Sequence, residues 1–150
     1  MQQKLDLFRI HSPEDSPNSW VWVKFKSKLL RNNYNKLLKF KTQKDIATEL
    51  NSNLKVGRST IEKHLIKLKY SKGKLWLPLP IIIELVNITD YKTKSKIISS
   101  FEYFTCKNNI KKEKIKVANI LTYELAEIIG SHIADGYLIK EGNTYRIKIV

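Results

Sequence analysis

Leu121 to Gly136 reads L-T-Y-E-L-A-E-I-I-G-S-H-I-A-D-G, and its spacing constrains fold and chemistry more tightly than any other stretch. Thr122 is a helix N-cap type and Glu124 suits a first turn, so a helix is predicted over Thr122 to Ala134. Ala126, Gly130 and Ala134 recur every four residues and stack on one face. Such a bare stripe lets a second helix approach almost backbone to backbone. Asp135 falls at the negative end of the helix dipole, where a carboxylate costs about 0.3–1 kcal/mol unless a cation is near. Gly136 is placed to reverse the chain. The plainer alternative is ordinary core packing followed by a common Asp-Gly turn.

Downstream, Tyr137 to Lys140, then Glu141-Gly142-Asn143, then Thr144 to Val150 predicts a β-hairpin. Thr144, Arg146 and Lys148 alternate with Tyr145, Ile147 and Ile149. The apolar set packs inward and the polar set faces out, either to a ligand or to water.

Residues 128–136, I-I-G-S-H-I-A-D-G, resemble the signature of the LAGLIDADG homing endonucleases. The wider frame L-T-Y-E-L-A-E-I-I-G-x-x-x-A-D-G-Y-L is similar to the archaeal and intein-associated branch. Gly130, Ala134, Asp135 and Gly136 occupy the characteristic places. Ile133 stands where many members carry their first Asp, and Ser131 and His132 also depart from the pattern. The resemblance covers residues 121–150. It implies the start, helix plus hairpin, of an αββαββα domain. It makes Ala126, Gly130 and Ala134 a helix-pairing interface and Asp135 the catalytic, metal-holding acid. It also places Thr144, Arg146 and Lys148 against double-stranded DNA.

Phosphodiester cleavage needs an acidified water and a neutralised leaving group, which carboxylate-held metal supplies. Mg²⁺ suits few carboxylates and keeps waters as further ligands. In the family two motif helices bring two such acids together. This chain carries one copy, so the second acid is expected from a homodimer partner or a missing C-terminal segment. On that reading the polypeptide is a truncated endonuclease, inactive by itself.

The region ahead of the motif is basic and helical in pattern. Residues 1–19 read as an extended segment. Val23, Leu29, Leu30, Leu37 and Leu38 predict a helix from Trp20 to about Phe40, with Asn32-Asn33 as a break. Thr42 is positioned to cap Gln43 to Leu50, whose Ile46, Ala47 and Leu50 share a face. Asn51 to Gly57 reads as a polar connection. Arg58 to Lys69 is a second helix with Ile61, Leu65 and Leu68 inward and Arg58, Ser59, Glu62, Lys63 and Lys69 outward.

The pair resembles a helix-turn-helix module, whose second helix enters the major groove by its N-terminal end. That end is Arg58-Ser59-Thr60, with Lys63 a turn further on, all types able to reach bases or phosphates. The connection is longer than the usual three or four residues. A helical bundle with a solvated basic face is the alternative. Gly73 then breaks the chain, and Pro78 to Ile88 reads as a helix with Pro at its start. The expected organisation is α+β: a helical domain over 20–90, a connector over 91–120 with a short strand at Phe101–Phe104, and the partial motif domain over 121–150.

Lys plus Arg number 28 against 14 Asp plus Glu, a net charge of +14. Between Lys24 and Lys74 there are 15 bases and 3 acids. That excess favours a polyanionic partner, nucleic acid before an acidic membrane surface. Cys106 is the only cysteine, which excludes an intrachain disulfide and a Cys-based zinc site and fits a reducing compartment. The start of the chain has no signal-peptide core. The apolar run Leu75 to Val86 is too short to span a bilayer. A cytoplasmic, nucleoid-associated location is expected, with no membrane partner. His11, His64 and His132 lack metal-ligand spacing, and Trp20, Trp22 and Trp76 fit core or interface positions. Three readings follow: a homing-endonuclease-like protein, a helix-turn-helix transcriptional regulator, and a basic RNA-binding or structural protein.

Overall fold

The computed structural model describes residues 17, 20–106, 115–117, 136–141 and 144–149. The chain mixes helices and strands, as the α+β expectation required. The chief departure from the sequence reading is at its start. Val21–Lys26 is a strand, β1, and only Lys28–Leu37 is helical, α1. V-W-V-K-F-K alternates, and its β-branched and aromatic residues suit a pleated surface. A helical period drawn across both elements mixes two repeats. The expected break at Asn32-Asn33 is also absent. Asn33 is buried inside α1, where its Nδ2 donates to Thr93 Oγ1 at 2.9 Å.

Gln43–Asn53 forms α2. Thr42 caps it as expected, its hydroxyl accepting from the Asp45 amide at 3.1 Å. Arg58–Lys69 forms α3. Ile46, Ala47 and Leu50 of α2 and Ile61, Leu65 and Leu68 of α3 are all fully buried. Ala47 is the small side chain at the α2–α3 packing.

Lys74–Pro78 forms β2, and Leu79–Ile88 forms α4 with Pro80 in its first turn. Every residue from Leu79 to Val86 is buried. A helix apolar all round belongs in the centre of a core. Its one acid, Glu84, accepts from Asn53 Nδ2 at 3.0 Å, which ties α4 to the end of α2.

Within the connector expected over 91–120, residues 91–106 and 115–116 form helical turns and strands, and the short strand expected at Phe101–Phe104 is present. A 3-10 turn at Tyr91–Thr93 leads into α5, Lys94–Ser99, then β3, Phe101–Cys106, and β4, Ile115–Lys116. These strands complete an antiparallel sheet ordered β2-β1-β3-β4. Val23 lies opposite Leu77 on one side and Phe104 on the other. The face carrying Val23, Phe25, Leu77, Phe101 and Phe104 is buried and continuous with α4 in one core. Pairing of β3 to β1 is long-range, between segments about eighty positions apart, so no local pattern announces it.

A buried polar knot fixes the return from α3 to β2. Ser27 Oγ donates to the Gly73 carbonyl at 2.8 Å, and Ser71 Oγ lies 2.7 Å from Ser27 Oγ. Arg31 donates to the Ser71 carbonyl. Gly73 has φ +87°, a left-handed conformation that side chains disfavour.

The predicted C-terminal hairpin is present as β5, Gly136–Glu141, paired antiparallel with β6, Thr144–Ile149. The predicted motif helix, with Ala126, Gly130, Ala134 and Asp135, lies outside the described residues, as does the extended segment expected over 1–19 apart from Pro17. Among the described residues no helix is long and apolar enough to cross a membrane.

Candidate nucleic-acid interface

The connection between α2 and α3 decides whether the pair can act as a unit. The sequence reading ended α2 at Leu50 and left seven residues to the next helix. The helix instead continues through Asn53, so the connection is Leu54 to Gly57, four residues. That length is usual for helix-turn-helix modules. Leu54 is buried and anchors the turn, and Asn51 Nδ2 donates to the Val56 carbonyl across it. Side-chain amides compete well with water in such turns.

Opposite the buried stripe of α3 lies an open face. Arg58, Ser59, Thr60, Lys63, Ile66, Lys67, Lys69 and Tyr70 are exposed, whereas Glu62 is only partly so. Four of the residues singled out from sequence, Arg58, Ser59, Thr60 and Lys63, are thus brought together on the surface. Ser59, Lys63, Ile66, Lys67 and Tyr70 fall at helical intervals and form one stripe. Ile66, Lys67 and Tyr70 were not singled out from sequence.

Electrostatics reinforce the stripe. The first turn of α3 contains no acid, so its positive dipole end and Arg58 both favour an anion. Two of the three acids in the basic region are already engaged. Glu62 lies 3.6 Å from Arg58, and Glu49 lies 2.7 Å from Lys41. Both pairs are solvent-exposed and worth little to stability. Lys69 Nζ stands 5.5 Å from the Tyr70 ring centroid.

A cavity of about 460 Å³ adjoins the stripe, walled by Trp20, Trp22 and His64 and edged by Lys63, Ile66 and Lys67. Trp22 packs edge-on to His64, with ring centroids 5.3 Å apart. Trp20 and Trp22 are buried, in line with the core or interface positions expected for them.

The other predicted site residues are distributed differently. In β6, Thr144, Arg146 and Lys148 stand opposite Glu141, Ile139 and Tyr137 of β5. Asp135, the predicted catalytic and metal-holding residue, lies outside the described residues. Among the described residues no three His, Cys, Asp or Glu side chains converge in a way that could hold a metal ion.

No family model, curated protein or solved structure matches the chain.

Proposed function

We propose that this protein binds double-stranded DNA, with α2 and α3 as a helix-turn-helix unit and the outward face of α3 in the major groove. The observation that carries the reading is the four-residue connection joined to an exposed Arg/Ser/Thr/Lys stripe on α3. Hydroxyl and guanidinium groups at the start of α3 supply base and phosphate contacts. The surrounding lysines supply counterion release. If about six of them meet phosphates, affinity falls roughly a thousandfold between 50 and 200 mM salt. A salt titration of binding to a mixed-sequence duplex tests this, and an affinity indifferent to salt rejects it.

In the fuller form of this proposal the protein is of the LAGLIDADG homing-endonuclease kind, supported by the motif at 128–136 and the hairpin that follows it. Asp135 would hold Mg²⁺ as one of two acids, the other coming from a second copy or a further segment. Thr144, Arg146 and Lys148 would extend the DNA contact, and Ala126, Gly130 and Ala134 would pair the helices. A chain with one such acid is expected to bind without cutting. Nicking of plasmid DNA in Mg²⁺, abolished by Asp135→Asn, would show that it does cut.

A transcriptional regulator is the second reading, favoured by the α3 face needing no second motif to be complete. A protected operator near a promoter would decide for it.

A further inference from the structure

Four large hydrophobic side chains are strongly exposed among the described residues: Phe40, Ile66, Tyr70 and Tyr91. Two of them, Ile66 at 45% and Tyr70 at 70%, sit one turn apart on the α3 stripe. Lys63 and Lys67 flank Ile66 along that stripe. Lone exposed apolar residues need no explanation. A β-branched aliphatic group inside an otherwise cationic and hydroxylic face is different, because it interrupts a surface suited to phosphate.

The rise of a helix places these groups along the groove. Ser59 and Ile66 are seven residues apart, about 10 Å along the axis at 1.5 Å per residue. The major groove is about 12 Å wide, so a helix lying along the groove as far as its third turn brings both to the base edges. Tyr70, the residue that follows the last turn of α3, ends the stripe. Among the groups that base edges present in the major groove, the C5-methyl of thymine is the apolar one.

We infer that Ile66 is a specificity-determining residue that packs on a thymine methyl, with Lys63 and Lys67 on the flanking phosphates. The inference rests on the DNA-binding reading above and deepens it. Within the preferred site at least one position is thymine because of its methyl group, not its hydrogen-bonding edge. Uracil shares that edge and lacks the methyl.

The test begins with duplexes selected by the full chain from a random pool. Each thymine in the preferred site is then replaced singly by uracil, and affinity is measured at fixed salt. At one position the replacement weakens binding about fourfold, the worth of one methyl leaving water at about 0.8 kcal/mol. Ile66→Ser removes that penalty and leaves the salt dependence unchanged; its circular dichroism matches wild type because the residue is exposed. Uracil tolerated at every thymine overturns the inference. So does a uracil penalty that Ile66→Ser leaves intact. Absence of binding to any duplex fails the DNA reading itself, and is told apart from these outcomes because they require measurable binding.

Discussion

Helices α3 and α4 are neighbours in the chain, joined through β2, yet they occupy opposite situations. In α3 only Ile61, His64, Leu65 and Leu68 are buried, and the rest of its surface carries Arg58, Glu62, hydroxyls, lysines and Ile66. In α4 eight consecutive residues are buried, and its single carboxylate is matched by the Asn53 amide. One helix is given wholly to the core, and the other divides between a core face and an open face. A substitution anywhere along Leu79 to Val86 should therefore disturb stability, whereas one on the open face of α3 should leave stability nearly unchanged and act on the proposed DNA binding.

The largest effect expected is at the centre of α4. Ile82→Ala removes a fully buried side chain and should cost about 2–5 kcal/mol in denaturant unfolding. A loss below 1 kcal/mol would mean that α4 is not the core helix. At the link between the helices, Gly73→Ala forces a side chain into the left-handed region at φ +87°. The expected cost is about 1–2 kcal/mol, with the Ser27 and Arg31 contacts to this return weakened as well. An unchanged melting temperature would contradict it.

A milder effect appears at alkaline pH. Tyr34, on α1 within the common core, is fully buried, and burial pushes its phenol up to about 12 from an ordinary value near 10. The unfolded chain therefore gives up this proton first. The resulting stabilisation is whole below pH 10 and is lost as pH climbs toward 12. Tyr34→Phe should flatten that decline, measured as melting temperature against pH. The smallest effect on stability belongs to α3. Lys63→Ala should shift unfolding by less than about 0.5 kcal/mol, while reducing the salt slope of the proposed DNA binding by about 1. A large destabilisation there would break the contrast between the two helices.

Legibility in the sequence followed the range of the interactions. The Thr42 cap, the buried stripes of α2 and α3, the helix after Pro78 and the C-terminal hairpin all rest on spacing within a dozen residues, and all could be read directly. Val21 to Lys26 was misassigned because its alternation runs into the helical period of Leu29 and Leu30 without a Gly or Pro between them. The strand at Phe101–Phe104 is legible from its aromatic run, whereas α5 and β4 are not, because lysines interrupt their short apolar stretches. The place of β3 in the sheet depends on β1, far away in sequence.

The candidate interface divided in the same way. Arg58, Ser59, Thr60 and Lys63 were recognised by residue type and by position at a helix start. Ile66 and Tyr70 were passed over, since apolar residues on a helix are assigned to the core unless their neighbours are known.

The basic character of the protein, the helix pair, the hairpin and the resemblance of residues 128–136 to a nuclease motif are all written in the sequence. Charge, period and capping are properties of adjacent residues. Tertiary structure alone decided that β1 and β3 are sheet partners, that α4 is central and that Ile66 stands in the open. Which apolar side chain remains exposed depends on how much partner surface reaches it, and that surface is assembled only when distant segments pack.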